Sequence, residues 1–192
     1  MDAGRDTSLF LLNVLGRSDA TETSRGSSAE LFGRFYQQYL PRVYQYVNYR
    51  VGNRNEVEEL TSIIFEKALT KFGSYDSRKA AFSTWIFSIA HNTVIDYYRE
   101  RSRKQQLTKD EEFRAAEPSA SIEEEAVRSE EILKLRQCLA KLNHNEQELI
   151  SLKYSGEMTN REIARITGYS ESNVGTILCR AIHKLREEFA RW

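Results

Sequence analysis

Ala81-Phe-Ser-Thr-Trp-Ile-Phe-Ser-Ile-Ala-His-Asn-Thr-Val-Ile-Asp-Tyr-Tyr-Arg-Glu-Arg-Ser-Arg-Lys104 is an aromatic, amphipathic segment that passes directly into a basic one. Aromatics at helical spacing are ordinarily core, and a basic continuation is ordinarily solvated. The same order of residues also suits a grip on single-stranded nucleic acid. Aromatic faces stack on unpaired bases of any identity, while neighbouring Arg and Lys neutralise the backbone. The rest of the chain decides between these readings.

Composition is that of an ordinary globular protein, 29% charged and 40% apolar over 192 residues, enough for one sizeable domain or two small helical ones. With two prolines and nine glycines, long uninterrupted helices are possible. Cys138 and Cys179 are too few for a disulfide framework and lack zinc-ligand spacing, which fits a reducing cytoplasm. Ser8–Leu15 is the one candidate targeting segment, and it is far too short to span a bilayer. No signal peptide, membrane insertion, metal or cofactor is expected.

Net charge is zero but unevenly distributed. Residues 28–107 carry 12 Lys/Arg against 8 Asp/Glu, 108–130 carry 3 against 8, and 131–192 carry 10 against 8. Two mildly basic blocks therefore flank an acidic connector that is poor in large apolar residues and reads as a flexible linker. The expected organisation is a variable extension (1–27), a helical domain (28–107), the linker (108–130) and a second helical domain (131–192), all-α throughout.

In the first block, Leu31, Phe32, Phe35, Tyr36, Leu40, Val43, Tyr44 and Val47 recur at three and four residues, as on one buried helix face that stops near Gly52-Asn53. A second helix, Glu56–Phe72, buries Leu60, Ile64, Ala68 and Phe72 behind an acidic first turn. A third carries Trp85, Ile86 and Ile89 and ends at Ala90-His91-Asn92-Thr93. Thr93 then caps a fourth helix with Asp96 in a capping box, and His91 lies in the intervening loop.

The second block contains two more boxes, Asn143-x-x-Glu146 and Thr159-x-x-Glu162. The helix opened by Thr159 ends at Gly168, and Ser170 caps the next, whose stripe is Val174, Ile177, Leu178, Ala181, Ile182 and Leu185. That pair is a helix-turn-helix. Its outward face presents Ser172, Asn173, Thr176, Cys179, Arg180, His183 and Lys184, among which Asn can read adenine and Arg can read guanine or hold phosphate.

Phe82 to Arg99 closely resembles the conserved-region-two signature of sigma factors of the extracytoplasmic-function (ECF) type. Glu58-Glu-Leu-x-x-x-x-Phe65 and Val174…Leu178-x-Arg180-Ala-x-x-Lys-Leu185-Arg resemble that family's other two signatures, and the match runs in order from Leu31 to Phe189. The resemblance implies a specificity subunit of bacterial RNA polymerase. Its first domain would melt and read the minus-ten element and its second would bind the minus-thirty-five element. Asn92, beside His91, would read a flipped base, with Phe82, Trp85 and Tyr97 stacking on DNA or shaping the pocket. Arg99, Arg101, Arg103 and Lys104 would hold phosphates. Asn173, Thr176 and Arg180, with Ser172, would read the minus-thirty-five element, and His183 and Lys184 would contact backbone.

The same resemblance makes Glu56–Phe72 the docking surface for the polymerase clamp helices, through Glu56, Glu58, Glu59, Ser62, Ile63 and Glu66, and adds the polymerase flap and an anti-sigma factor as partners. The linker resembles a segment that threads the polymerase channel. Two departures stand out. Ser62-Ile63 replaces the common Gln-Glu, and Gly175 and Ile177 replace common basic residues. No Gly-rich phosphate loop or catalytic triad context occurs, so the chain is not expected to be a catalyst itself. The alternatives are a stand-alone helix-turn-helix regulator, which lacks an aromatic-basic melting module, and an interaction adaptor, which needs no base-reading face.

Overall fold

The structure, a computed structural model, describes residues 22–107 and 128–191. The extension up to residue 21, including Ser8–Leu15, and linker residues 108–127 lie outside them. All regular elements among the described residues are helical: α1 (Glu22–Val51), α2 (Arg54–Lys71), a 3-10 turn (Phe72–Ser74), α3 (Phe82–Leu107), α4 (Arg128–Ala140), α5 (His144–Tyr154), α6 (Asn160–Thr167) and α7 (Glu171–Ala190). The chain is thus helical from Glu22, inside the expected extension, and again from Arg128, before the expected end of the linker.

Helix α1 buries Phe32, Tyr39, Val43, Tyr46, Val47 and Val51, but Leu31 is exposed. Pro41 sits inside it at an exposed position. Gly52 takes the left-handed conformation at φ 79° and donates to the Asn48 carbonyl. Asn53 belongs to the next element, since its side chain accepts from the Asn55 and Glu56 amides and N-caps α2. Helix α2 lays Val57, Leu60, Ile64, Phe65 and Ala68 against α1 and α3.

Helix α3 corrects the sequence expectation. It runs unbroken through Ala90–Thr93, so there is no loop at His91 and no fourth helix starting at Thr93. Thr93 is buried, and its hydroxyl accepts from the Lys67 ammonium instead of capping. Asp96 faces Arg99 at 3.5 Å. A capping side chain contributes about 1 kcal/mol. Keeping Phe82, Ile86, Phe87, Ala90 and Val94 on one buried helix face removes five side chains from water, at roughly 1.5–3 kcal/mol for each larger one. Burial wins.

Both boxes of the second block form in full. Asn143 and Glu146 exchange side-chain and backbone hydrogen bonds, as do Thr159 and Glu162. Gly168 ends α6 at φ 77°, Ser170 caps α7, and α6–α7 form the helix-turn-helix over Leu149, Leu152, Ile163, Val174, Leu178 and Ala181. The two helical units are not held apart. α1 packs on α5 and α3 packs on α6, and one continuous core cluster runs through both.

Candidate nucleic-acid interface

Helix α3 places the first set of site residues in three environments. Asn92, Arg99 and Arg103 lie seven and four residues apart on one exposed stripe, with Lys104 beside it. Arg99 and Lys104 keep their charge near the surface against Asp96 and Glu100, pairs that exposed solvent makes weak and exchangeable. Arg101 and Tyr97 face the other way, half-buried. Arg101 Nη1 donates to the Tyr97 hydroxyl at 2.8 Å and stands 3.7 Å from Glu56. Burial, and then the Glu56 carboxylate, push the Tyr97 phenol up to about 12, so it stays neutral.

The aromatics separate too. Phe82 is only 4% exposed and stacks on Phe35, centroids 4.0 Å apart. It is core, and cannot meet DNA without opening that cluster. Trp85 is half-buried at the edge of the same cluster, against Phe72, Tyr75 and Phe82, with part of its ring accessible.

His91 is not beside Asn92 at a pocket rim. Its Nδ1 lies 2.8 Å from Glu148 Oε1, across the contact between the two helical units. Glu148, on α5, also accepts from the Tyr46 hydroxyl at 2.7 Å. Its second oxygen approaches Arg50 Nε at 2.9 Å, off the donor axis, an ion pair more than a directed hydrogen bond. Arg50 completes its set on α5 by donating to the His144 carbonyl and meeting the His144 ring, which stands edge-on to Tyr98. Arg42 donates to the Ser155 and Gly156 carbonyls, and the Thr84 hydroxyl to Glu162.

These contacts were not anticipated. A signal existed at one end only. Val43, Tyr46, Val47 and Arg50 share the 3-4 spacing of the buried face of α1, which puts a cation at a core position.

Burial alone would raise the Glu148 carboxyl, but His91, Arg50 and Tyr46 outweigh it and hold it below the usual glutamate range. Burial, and then Arg50, lower His144. Both shifts make the fold weaker in acid. The folded state resists protonating His144, so stability falls as pH drops below its ordinary 6.5. The Glu148 contribution is complete above the ordinary 4.5 and is lost as pH falls through its lower folded value. Melting temperature measured in steps from pH 7 to pH 4 should therefore fall as pH drops below 6.5, where His144 acts, and fall again below 4.5, where Glu148 begins to act. A flat profile would contradict both assignments.

On α2, Glu58, Glu59, Ser62 and Glu66 are exposed, while Glu56 and Ile63 are partly covered. Glu58 pairs with Arg54 one turn away. On α7, Ser172, Asn173, Thr176, Arg180 and His183 are all exposed, as a major-groove reading face requires. Lys184 differs. Its ammonium is held 2.6 Å from Glu146, the glutamate of the first capping box.

The order and content of these two units match two family descriptions, Sigma-70 region 2 over residues 35–104 and Sigma-70, region 4 over residues 132–185. A relative from Bacillus subtilis, the RNA polymerase sigma factor YlaC, is 30% identical over 158 residues, covering 81% of this chain and 90% of its own length. The chain belongs to the ECF sigma factors of the sigma-70 family. It is also similar to the ECF RNA polymerase sigma factor BldN of Streptomyces coelicolor, 31% identical over 167 residues, of whose length it spans only 63%. In fold, this sigma factor is similar to RpoE of Bartonella quintana, solved with the anti-sigma factor NepR. The TM-score is 0.69 at 19% identity, covering 83% of this chain and 96% of that one. It is similar also to CnrH, solved with the cytosolic domain of CnrY, with a TM-score of 0.63 at 21% identity and 99% of both chains covered. Among the described residues no helix is long and apolar enough to cross a membrane.

Proposed function

We propose that this sigma factor directs promoter-specific initiation by RNA polymerase, with α3 as its minus-ten reader and α7 as its minus-thirty-five reader. One observation carries the reading. Both sigma regions occur in order, and each exposes a polar and cationic helix stripe: Asn92, Arg99 and Arg103 on α3, and Asn173, Thr176 and Arg180 on α7. A stand-alone helix-turn-helix regulator would not require region 2.

Melting a promoter takes bases out of the stack at a cost of a few kcal/mol each, which protein contacts must recover. Asn92 supplies a donor and an acceptor for one unpaired base, the accessible edge of Trp85 an apolar face, and Arg99, Arg103 and Lys104 charge for phosphates. Region 4 then supplies duplex contacts through Ser172, Asn173, Thr176 and Arg180, with His183 on the backbone. Gly175 and Ile177 leave α7 less basic, so salt should weaken its own DNA binding only shallowly. The exposed acidic face of α2, Glu58, Glu59, Ser62 and Glu66, docks on the polymerase clamp helices, and region 4 meets the flap. An anti-sigma factor is the expected inhibitor, as one is bound to RpoE in the similar structure.

The test is run-off transcription with core polymerase on a genomic promoter library, with and without the chain. Initiation gained at no promoter would end the sigma reading. The Asn92→Ala variant should keep core binding and lose about 1–3 kcal/mol of discrimination at one unpaired minus-ten base. Unchanged base preference in that assay would remove Asn92 from the reading face.

A further inference from the structure

The covered face of α3 continues past its last core residue. Ala90, Val94, Tyr97 and Arg101 follow one another at four, three and four residues, the spacing of one helix face. Ala90 and Val94 are buried and Tyr97 is half-buried, so the next place on that face, where an apolar side chain would be expected, is held by a guanidinium. Within residues 99–104 Arg101 alone is partly covered, while Arg99, Glu100, Ser102, Arg103 and Lys104 are exposed. The turns that carry the proposed phosphate ligands are therefore tied to the body of region 2 through one side chain. A helix end with so little packing is the part that opens first.

Arg101 finds its partners on its own helix and on α2. Its Nη1 donates to the Tyr97 hydroxyl at 2.8 Å and stands 3.7 Å from the Glu56 carboxylate. The Tyr97 phenol, pushed up to about 12 by burial and Glu56, keeps its proton to donate, and the carboxylate beside it is the acceptor. Glu56 forgoes a local bond to be there. At Asn143 and Thr159 the glutamate three residues on reaches back to the cap amide and completes a box. At Asn53 the side chain accepts from the Asn55 and Glu56 amides in the same way, but the Glu56 carboxylate turns across to Arg101 and Tyr97.

We infer that Glu56 is a positioning residue for promoter reading: with Tyr97 and Arg101 it braces the basic end of α3 against the first turn of α2, and so holds Arg99, Arg103 and Lys104 in register with Asn92. This rests on the sigma reading for what the brace serves. Glu56 then acts on DNA and not on the clamp, which keeps the exposed Glu58, Glu59 and Glu66. Arg101 acts on phosphates through the backbone it anchors and not by touching them. A helix end ordered in advance spares binding the cost of ordering it.

The experiment gives core polymerase a saturating excess of the full chain or a variant, so that clamp affinity drops out. Fluorescence anisotropy then reads the affinity for a fork-junction DNA with a single-stranded minus-ten segment, over a series of salt concentrations. Glu56→Ala and Arg101→Ala should each weaken binding by about fivefold, the upper range for a partly exposed pair, and Tyr97→Phe by less. The slope of log affinity against log salt should not change. The charge swap, Glu56→Arg with Arg101→Glu, should recover most of the loss. If Arg101 touched a phosphate, its removal would take about 0.7–0.9 off that slope, and the swap would set a carboxylate against the DNA backbone and bind worse than either single variant. Either result would overturn the brace. So would tighter binding by Glu56→Ala, which would mean that Glu56 withholds Arg101 from DNA, or unchanged DNA affinity with weakened core binding, which would return Glu56 to the clamp. Binding of duplex minus-thirty-five DNA through region 4 should be the same in every variant, and a parallel loss there would reduce the brace to general stability. Failure of the sigma reading would show separately, in the unaltered chain, as absent fork-junction binding and absent initiation in the run-off assay.

Discussion

Replacing Phe82 with Ala should lower stability by about 3–5 kcal/mol, one of the largest losses expected from any single change in region 2. The ring is buried at 4% exposure and is the centre of an aromatic cluster, stacked on Phe35 and in contact with Tyr39, Phe72, Tyr75 and Trp85. Truncation leaves a void among stiff rings that cannot collapse into it, so the loss of contacts adds to the loss of burial. For a chain of this size each kcal/mol shifts melting by roughly 2–4 °C, so a drop of roughly 6–20 °C is expected in a thermal scan. Trp85→Ala, at the accessible edge, should cost less stability and more fork-junction binding. A Phe82→Ala protein that melts normally but binds DNA poorly would reverse this assignment and make Phe82 the stacking residue.

The Arg50→Met change should be comparably severe for the closed arrangement. The Arg50 side chain is 1% exposed and Glu148 8%. Removing one member of a buried pair strands the other, at about 3–5 kcal/mol. This chain has an escape that a single-domain core lacks, because parting the domains rehydrates Glu148. The loss should therefore surface as reduced hydrogen-exchange protection of α5 and of the α1 segment around Tyr46, before global unfolding. The double change Arg50→Met with Glu148→Leu should recover part of that protection, since an apolar pair of similar volume removes the stranded charge. Recovery stays partial because the Tyr46 hydroxyl loses its acceptor. Normal α5 protection in the single variant would show that the pair contributes little.

The capping patterns show how far the sequence could be read. Asn143-x-x-Glu146 and Thr159-x-x-Glu162 each open a helix as expected, with turn residues before them and no buried stripe to interrupt. Thr93-x-x-Asp96 has the same chemistry and opens nothing, because it falls within the apolar run from Phe82 to Val94. Local hydrogen bonding decides a boundary only where burial is indifferent to it. Similarly, Asn173, Thr176 and Arg180 could be placed on an exposed face from periodicity alone, since the stripe Val174, Leu178 and Ala181 opposite them is strong. The division among Phe82, Trp85 and Tyr97 could not, because all three sit at helical spacing and only their neighbours distinguish them.

The sequence by itself determined the all-helical class, the helices opened by the two capping boxes of the second block and the helix-turn-helix with its Gly168 turn, and the likeness of its motif residues to sigma-factor signatures implied the family. The helical features are written in local spacing, three and four residues for a buried face and three for a capping box. Only the tertiary structure decided that the two regions close on each other and that His91 faces Glu148. Local spacing says which face of a helix is buried but not against what. A charged residue such as Glu148 is buried only because Tyr46, 102 positions earlier in the chain, and Arg50 and His91 meet it there.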